Sequence, residues 1–431
     1  MNPVNASILT IGDELLIGQT IDTNSAFIAQ ELNKIGIWVQ RRLAVGDDYQ
    51  QIWQALDEEG GKSEVVIITG GLGPTADDIT KPLLCRYFGG KLIVNEQVLA
   101  HVRYLFEKVY RRPGAMLERN LKQAEVPDVC TVLHNARGTA PGMWFEKQFP
   151  SSGQSANNRN VIFISLPGVP HEMRGLIRDE VIPRLKAQLT LPVILHRTAF
   201  TSGIGESMLA EKISGFEQSL PAHIKLAYLP GFGMVKLRLT SRGENAEILE
   251  RELEETFQTL LSQVDNWLVT PSDEGLEIVV GRLLRERGMT LATAESCTGG
   301  YIAHLLTSVA GSSAYYKGSV VAYANSVKER TLGVSSQTLA TVGAVSRETV
   351  SEMARGAISQ LQSDFALATS GIMGPDGGSA EKPVGTVWIA VASRNNVLAQ
   401  EFSFRFDRER NIRQTAHTAL DFLRKFILAD S

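Results

Sequence analysis

The chain has 431 residues, of which 43% are hydrophobic and 21% are charged, and its formal net charge is −4. This length exceeds one ordinary hydrophobic core, so two or three domains of a soluble globular protein are expected. The negative charge argues against broad nucleic-acid binding, which needs clustered cations. The cysteines, Cys85, Cys130 and Cys297, are too few and too widely spaced for a disulfide framework or a structural zinc site. Neither a signal peptide nor a membrane span is read in the sequence, and a cytoplasmic location is expected.

The region from residue 1 to 190 alternates short apolar runs with segments of helical spacing. The predicted strands are 6–11, 37–45, 65–69 and 161–166, and the predicted helices are 23–34, 49–59 and much of 78–125. This strand–helix rhythm is typical of an α/β domain built on a parallel sheet. The polar segment 150–160 is predicted to be an exposed loop tip.

Residues 191–268 are predicted to form a small α+β middle domain, for which no function follows from the sequence. Its predicted elements are a strand at 197–201, a helix at 206–213, a strand pair at 225–229 and 234–240, and a charged helix at 244–262. Residues 267–275 contain Pro, Ser, Asp and Gly and are interpreted as a linker. Residues 276–431 alternate helix and strand again, which predicts a further α/β domain.

Glycine and acidic residues cluster just after the predicted strands of the first domain. Residues 69–75 form a glycine-rich turn whose backbone N–H groups could approach a phosphate closely. Carboxylates come from the same or neighbouring segments, and they are Glu14, Asp47, Asp77 and Asp78. Such carboxylates beside a phosphate cradle suggest a bound divalent cation, although a tight turn and a helix cap would explain single members of the set.

In the last domain, Ser296 and Cys297 lie side by side on a turn between a predicted strand and a predicted helix at 301–308. Such a turn can expose a nucleophile while helix-terminal N–H groups face an anion. Both residues are candidate nucleophiles. Persistent activity without the thiol would exclude a Cys297 amidase.

Lys328 is the candidate base for Ser296. Residues 317–328 are interpreted as a strand ending near Tyr323, followed by a helix capped by Asn325 with Lys328 in its first turn. A lysine there would face the positive end of the helix dipole, which disfavours its charged form. Tyr323 could relay the proton or orient the amine. His304 and His417 are interpreted as surface or packing residues.

A second glycine-rich loop, 370–379, follows the predicted strand 365–369. The backbone amides around Gly371, Gly374 and Gly377 could surround a phosphate or a developing oxyanion. Three arginines open the last helix and one of them could clamp a phosphate, with Arg413 as the candidate. The three are Arg408, Arg410 and Arg413.

Four motifs of the first domain resemble the N-terminal domain of the competence/damage-inducible CinA family, which is similar to the molybdopterin-binding fold. They are GDELLIGQTIDTNS (12–25), TGGLGPTADDIT (69–80), GTAPG (138–142) and LPGVPHEM (166–173). The resemblance implies a metal-dependent pyrophosphatase that cleaves ADP-ribose to AMP and ribose 5-phosphate. It implies substrate-binding roles for Asn24, Gly70, Gly71 and Thr75, and Mg²⁺ or Co²⁺ binding by Asp47, Asp77 and Asp78.

TAESCTGG (293–300), the Tyr323–Lys328 pair, GAVS (343–346) and the 370–388 segment resemble the nicotinamide mononucleotide deamidase domain of the same family. The resemblance implies hydrolysis of the carboxamide of nicotinamide mononucleotide (NMN) to nicotinate mononucleotide and ammonia, without a cofactor. Ser296 then corresponds to the nucleophile, and Lys328 and Tyr323 to its activating partners.

In this interpretation, backbone N–H groups of the nucleophile turn bind the oxyanion; they belong to Cys297, Thr298, Gly299 and Gly300. Met373 stands where the family usually has alanine. The family likeness also suggests a homodimer. The alternative function is a non-catalytic nucleotide- or pterin-binding accessory protein linked to competence or to molybdenum-cofactor synthesis.

Overall fold

The structure of the chain is a computed structural model that describes residues 4–73, 75, 78–110, 117–150 and 158–429. The predicted metal ligand Asp77 and most of the predicted loop tip 150–160 lie outside the described residues. The chain divides into two compact units. One comprises residues 1–195 with 241–250, and the other comprises residues 196–240 with 251–431.

Up to residue 190, strands and helices alternate as the apolar pattern predicts. The strands are β1 (Asn5–Ile11), β2 (Trp38–Val45), β3 (Val65–Thr69), β4 (Leu92–Val94), β5 (Glu125–Pro127), β6 (Thr131–Leu133), β7 (Gly142–Phe149) and β8 (Arg159–Leu166). The helices are α1 (Asp13–Leu16), α2 (Thr23–Lys34), α3 (Tyr49–Gly60), α4 (Thr80–Tyr87), α5 (Glu96–Tyr104), α6 (Glu118–Leu121), α7 (Pro170–Leu176) and α8 (Ile182–Gln188). A π-helical turn extends α5 over Leu105–Val109, and another joins α7 to α8 over Ile177–Val181.

The first sheet has the strand order β2-β1-β3-β8-β7-β6. Strands β2, β1, β3 and β8 are parallel to one another, as predicted, whereas β7 pairs antiparallel with β8 and β6 pairs antiparallel with β7. Successive residues of a strand face opposite sides, so Ile67 and Ile68 pack into two separate cores, one on each face. Burial on both faces explains why β3 is an uninterrupted apolar run.

The segment 78–125 is less helical than predicted. Strands β4 and β5 at its ends pair in an antiparallel two-stranded sheet, in which Ile93 is opposite Val126. Both strands are only three residues long. Their pairing depends on contacts between residues about 30 positions apart, which local periodicity does not report.

Beyond residue 190 the chain forms two further sheets. The strands are β9 (Val193–Ser202), β10 (Ile224–Gly231), β11 (Met234–Gly243), β12 (Leu268–Thr270), β13 (Leu291–Glu295), β14 (Tyr316–Val321), β15 (Phe365–Gly371), β16 (Thr386–Ser393) and β17 (Val397–Ser403). The helices are α9 (Glu206–Lys212), α10 (Ser214–Gln218), α11 (Ala246–Val264), α12 (Leu276–Glu286), α13 (Tyr301–Thr307), α14 (Asn325–Leu332), α15 (Ser336–Thr341), α16 (Arg347–Leu361) and α17 (Arg408–Ala429).

The middle sheet has the strand order β10-β11-β9-β12. Strand β12 pairs antiparallel with β9 and places Leu268 opposite Thr201. It lies inside the segment 267–275, so the interpretation of that whole segment as a linker is wrong. The strand is only three residues long, and the turn-forming residues that follow it make the segment look like a linker in the sequence.

The C-terminal sheet has the strand order β14-β13-β15-β16-β17, with β13 parallel to both β14 and β15. Helices α12, α13 and α17 cover one face, where Leu291 and Leu367 belong to the core. Helix α16 covers the other face, where Ala292 and Ala366 allow the helix to approach the sheet closely. This two-sided packing fixes the strand ends that carry the candidate site.

Candidate active sites

The turn after β13, the segment after β14 and the loop after β15 all begin at the same edge of the C-terminal sheet. Glu295, the last residue of β13, is in register with Val321 on one side and with Thr369 on the other. The carboxyl ends of parallel strands are where α/β proteins place their ligand sites. The sheet therefore brings together the segments that the sequence singled out separately.

Ser296 directly follows β13, and its backbone is still hydrogen-bonded to the neighbouring strand β15. Its backbone N–H donates to the carbonyl of Thr369 at 3.0 Å, and only 8% of the residue is exposed. The chain then turns through Gly299 and Gly300, whose φ angles of +61° and +97° are in the left-handed region that favours glycine. This tight turn leads directly into α13.

Lys328 reaches Ser296 from the first turn of α14. Its Nζ lies 3.1 Å from Ser296 Oγ and donates to the carbonyl oxygens of Ala322, at 2.8 Å, and Tyr323, at 3.2 Å. The lysine is 1% exposed. A neutral amine has two N–H groups and one lone pair. The two carbonyls match the two N–H groups, which leaves the lone pair for the hydroxyl proton of Ser296.

The neutral form of Lys328 is favoured mainly by burial. Desolvation lowers the pKa of Lys328 below its ordinary value, with a smaller opposing effect from Cys297. The prediction that Asn325 caps the helix is wrong, because α14 begins at Asn325 and its N-cap, Ala324, has no capping side chain. Removal of the amine from water is the largest cause of the lowered pKa of Lys328.

The neighbouring thiol is in a different environment. Cys297 is 6% exposed and packs in the core that contains Ile302 and Leu306. Burial raises the pKa of the Cys297 thiol to about 12. At neutral pH the thiol is protonated, and a thiol is a far weaker nucleophile than a thiolate.

Tyr323 contacts Lys328 through its backbone carbonyl and not through its hydroxyl. Its side chain is 64% exposed, and the hydroxyl accepts a hydrogen bond from the Arg408 guanidinium at 3.2 Å. The same guanidinium donates to the carbonyl of Gly374 at 2.9 Å. Arg408 therefore joins the segment after β14 to the glycine-rich loop after β15.

Arg413, the arginine chosen from the sequence, lies elsewhere. It pairs with Glu409 at 2.6 Å and lines a surface cavity with Phe232 and Arg410. Five residues separate Arg408 from Arg413, which turns the helix by about 140° and places them on different faces. The choice between Arg408 and Arg413 could not be made from the sequence, because it depends on which face of α17 meets the loop.

Met373 and Asn411 attach the glycine-rich loop to the core of the domain. Met373 is 3% exposed and belongs to the core, and its carbonyl accepts a hydrogen bond from Asn411 Nδ2 at 3.1 Å. The larger side chain thus points away from the loop surface. Gly374 and Gly377 have φ angles of +82° and +92°, so both adopt the left-handed backbone that glycine permits.

The nucleophile turn offers fewer free amides than the sequence suggested. Gly299 N–H donates to the Ser296 carbonyl at 3.2 Å, and Gly300 N–H donates to Glu295 Oε2 at 3.0 Å. Apart from the contact of the Cys297 N–H with its own thiol, no group among the described residues accepts a hydrogen bond from the N–H of Cys297 or Thr298. An oxyanion would therefore meet the Cys297 and Thr298 amides and not all four.

The two histidines of this domain pack against aromatic rings. His304 stacks on Tyr301 with 6.1 Å between ring centroids, and His417 stacks on Phe232 at 5.6 Å. Burial lowers the pKa of His417. Neither ring makes a hydrogen bond to Ser296, which agrees with their interpretation as packing or surface residues.

At the edge of the first sheet, the segments after β1, β2, β3 and β8 also converge. Gly70 N–H donates to the Leu166 carbonyl at 3.2 Å, and Asn24 Nδ2 donates to the Gly168 carbonyl at 2.7 Å. A Cβ on Gly70 would lie 2.2 Å from the Ile11 carbonyl oxygen, and the φ of Gly70 is +116°. Glycine is required there because the backbones pass too closely for a side chain.

The described carboxylates at this edge accept hydrogen bonds from backbone N–H groups of the surrounding loops. Asp78 accepts hydrogen bonds from the N–H groups of Gly73, at 2.8 Å, and Thr75, at 2.9 Å. Asp13 and Asp47 each accept the other's backbone N–H at 3.2 Å. Within the described residues no group of three His, Cys, Asp or Glu side chains is placed to hold a metal ion. The described residues alone therefore do not form a fitted cation site.

Lys81, which the sequence reasoning missed, follows Asp78 on α4. It is 9% exposed, and its Nζ donates to the Gln123 carbonyl at 3.2 Å. Burial lowers the pKa of Lys81 to about 8, against opposing effects of Glu125 and Asp78. Its position directly after the acidic motif was the available signal.

Taken together, the fold and the two loop edges define a multidomain α/β protein whose C-terminal sheet carries a buried Ser–Lys pair. Among the described residues, no helix is both long and apolar enough to cross a membrane. Models of three protein families match successive parts of the chain: a probable molybdopterin binding domain (residues 7–187), the damage-inducible protein CinA KH domain (196–269) and the CinA C-terminal domain (273–427).

Two relatives match the chain over nearly its whole length. A CinA-like protein from Flavobacterium psychrophilum is 48% identical over 426 residues, covering 99% of each chain, and one from Cytophaga hutchinsonii is 47% identical over 422 residues, covering 98% of each. The chain belongs to the CinA family. A crystal structure of competence/damage inducible protein CihA from Agrobacterium tumefaciens is 44% identical and covers 35% of this chain and 96% of its own, with a TM-score of 0.34.

Proposed function

We propose that the C-terminal domain hydrolyses the carboxamide of NMN to give nicotinate mononucleotide and ammonia. The observation that supports this most is the buried Lys328 amine, whose two N–H groups have carbonyl partners and whose lone pair is left to face Ser296 Oγ at 3.1 Å. This arrangement suits a general base for a hydroxyl nucleophile, as in Ser–Lys hydrolases. The family likeness supplies the choice of substrate.

The reaction begins when Ser296 Oγ attacks the carboxamide carbon and its proton passes to the neutral amine of Lys328. The N–H groups of Cys297 and Thr298 stabilise the resulting oxyanion, each worth about 3 kcal/mol by analogy with measured oxyanion donors. The Lys328 ammonium then gives the proton to the carboxamide nitrogen, the bond between that nitrogen and the carbonyl carbon breaks, and the nitrogen leaves as ammonia. Water then attacks the ester carbon while Lys328 takes a proton from it. The bond to Ser296 Oγ breaks, Lys328 returns the proton to Oγ, and the acid and the free serine are released.

The phosphate of the substrate is assigned to Arg408 and the amides of the glycine-rich loop. The Arg408 guanidinium donates hydrogen bonds to the Gly374 carbonyl and the Tyr323 hydroxyl, and the planar guanidinium group is well suited to binding phosphate. The exposed Tyr323 ring at the same place can pack against the nicotinamide ring or the ribose. Recognition of the nucleotide and activation of the serine are thus carried by different residues.

The thiol alternative is disfavoured by the environment of Cys297. Burial raises its pKa to about 12, and the amine nearest the turn makes its hydrogen bond with Ser296 Oγ. A non-catalytic nucleotide-binding protein gives no reason to bury a lysine against a serine. Ligand binding without turnover would nevertheless identify that second function.

For the N-terminal domain we propose cleavage of ADP-ribose to AMP and ribose 5-phosphate, with a divalent cation as cofactor. Support comes from the convergence of Asn24, Gly70 and Gly168 at one sheet edge, where close backbone approach suits phosphate binding. Asp47 and Asp77 remain the proposed cation ligands, and Asp78 accepts hydrogen bonds from the N–H groups of Gly73 and Thr75. No reaction step is assigned to the ion.

Product analysis of the wild-type chain tests both halves. The protein is incubated separately with NMN and with ADP-ribose plus Mg²⁺ or Co²⁺, and products are separated by chromatography with an ammonia assay. The proposal predicts nicotinate mononucleotide with equimolar ammonia in the first case, and AMP with ribose 5-phosphate in the second. Unchanged NMN would refute the deamidase assignment, and unchanged ADP-ribose would refute the pyrophosphatase assignment.

A further inference from the structure

Glu295 is a fully buried carboxylate directly before the nucleophile. Its exposure is 0%, although a charged side chain is costly to bury unless it is well bonded. It accepts hydrogen bonds at Oε2 from the Thr298 hydroxyl, at 2.8 Å, and from the Gly300 and Ile302 N–H groups, both at 3.0 Å. At Oε1 it accepts from the Ala303 N–H at 2.8 Å. These four donors all belong to the turn and to the start of α13.

The amino-terminal end of α13 is therefore occupied by a carboxylate of the chain itself. The helix dipole and the free N–H groups of a first turn attract an anion, and Glu295 meets that demand internally. A substrate phosphate has no place there. This agrees with the assignment of the phosphate to Arg408, which contacts the Gly374 carbonyl and the Tyr323 hydroxyl.

The Thr298 hydroxyl extends this network to the next strand. It lies 2.8 Å from the Thr369 hydroxyl, and the Thr369 carbonyl accepts the Ser296 N–H at 3.0 Å. The turn is thus held at both ends, by Glu295 from within β13 and by Thr369 from β15. Between these two attachments lie the N–H groups of Cys297 and Thr298.

We infer that Glu295 is a positioning residue for deamidation, which holds the Cys297 and Thr298 N–H groups where the oxyanion forms. The inference rests on the proposed function of the C-terminal domain. Glu295 does not touch the substrate; it acts through the conformation of the turn. Because oxyanion donors must be placed to within a fraction of an ångström, a small relaxation of the turn has a large effect on the chemical step.

The test is the variant Glu295→Gln in the full chain, assayed with NMN. Glutamine keeps the size of the side chain but replaces one acceptor oxygen by an NH₂ group, which cannot accept from the N–H donors of the turn. The expected result is a fall in kcat of about 10- to 100-fold. KM for NMN should change by less than about threefold, because ground-state binding is left intact. The low-pH limb of kcat/KM should not move, because Lys328 is untouched.

A matched control comes from Ser319, whose hydroxyl touches the same carboxylate at 3.4 Å but belongs to β14 and not to the turn. Ser319→Ala should leave kcat within about twofold of the wild type, because it removes one long hydrogen bond. If Glu295→Gln fails to fold, the pair Thr298→Val and Thr298→Ser replaces it. The valine variant should lose kcat as above, and the serine variant, which keeps the hydroxyl, should restore it.

Three results would overturn the inference. These are an unchanged kcat in folded Glu295→Gln or Thr298→Val, a loss confined to KM, and a displaced pH limb, which would mean that Glu295 acts on Lys328. These failures remain distinct from failure of the proposed function, in which the wild-type chain itself would release no ammonia from NMN.

Discussion

Replacing Lys328 by methionine should abolish deamidation while the fold persists. The substitution keeps the length of an unbranched side chain at a position that is 1% exposed, and it removes the amine 3.1 Å from Ser296 Oγ. Without that amine the Ser296 hydroxyl has no hydrogen-bond partner among the described residues. We therefore expect Lys328→Met to bind NMN as the wild type does but to be unable to hydrolyse it.

The expected loss follows from the role of the amine in both half-reactions. General acid–base catalysis contributes about 10²- to 10⁴-fold to a rate. A nucleophile and its base act as a unit, so removal of the base can cost as much as removal of the serine, on the order of 10⁶-fold in the best-studied serine hydrolase. A fall in kcat of at least about 10³-fold is therefore expected.

The effect on stability has two opposing parts. The carbonyls of Ala322 and Tyr323 lose their Lys328 donors, at a cost of about 1–3 kcal/mol each if they stay dry. Against this, the variant no longer buries an amine that is desolvated when charged. The net change in the free energy of unfolding is therefore smaller than the sum of the two losses.

The pH dependence has a definite sign. The folded-state pKa of Lys328 is lowered by burial, while its unfolded value is about 10.4. Between those two values the unfolded chain binds more protons, so the stability that this group contributes rises with pH. Below the folded-state pKa the full penalty of burying the ammonium is present. The wild type should thus gain stability relative to Lys328→Met as pH rises through this window.

The assays are ammonia release from NMN for activity and urea unfolding at two pH values for stability. In the wild type, kcat/KM should fall as pH decreases through the lowered pKa of Lys328, since only the neutral amine accepts a proton. Deamidation by Lys328→Met within about tenfold of the wild-type rate would refute the role of the amine as general base. A stability difference that falls with rising pH would refute the burial argument.

Further variants separate the other roles. Cys297→Ala should keep kcat within about threefold of the wild type in the ammonia assay, because the thiol is buried and protonated; complete loss would favour the thiol. Arg408→Met should raise KM for NMN by at least about tenfold, as expected for one lost charge-assisted contact, whereas Arg413→Met, which only removes the pair with Glu409, should leave it unchanged. Gly70→Ala should impair AMP release from ADP-ribose but not ammonia release from NMN, because a Cβ there meets the Ile11 carbonyl; equal loss of both activities would indicate global unfolding.

Strong local signals in the sequence located several elements closely. Helix α2 was predicted at its observed bounds because Asp22 caps it, accepting the Ser25 N–H at 2.8 Å, and its apolar residues recur at helical spacing. The continuous apolar run of β3 likewise matched its observed bounds. Short strands such as β12 were not predicted, because their pairing depends on residues distant in the sequence and not on local periodicity.

The candidate site, like the fold, was predicted from the sequence only in part. The Ser296–Lys328 pair could be proposed from the sequence, since Ser296 follows one strand directly, Lys328 lies in the helix that follows the next, and the ends of parallel strands share a sheet edge. The sequence did not reveal that Glu295 already fills the helix terminus expected to face an external anion. That fact depends on the rotamer of one side chain, which no pattern of residue types specifies.

The most direct test of the Ser–Lys deamidase centre compares ammonia release from NMN by the wild type and by Ser296→Ala. If Ser296 is the nucleophile, the wild type releases nicotinate mononucleotide and equimolar ammonia, whereas Ser296→Ala releases neither and still cleaves ADP-ribose. Ammonia release from folded Ser296→Ala at the wild-type rate would contradict that role of Ser296.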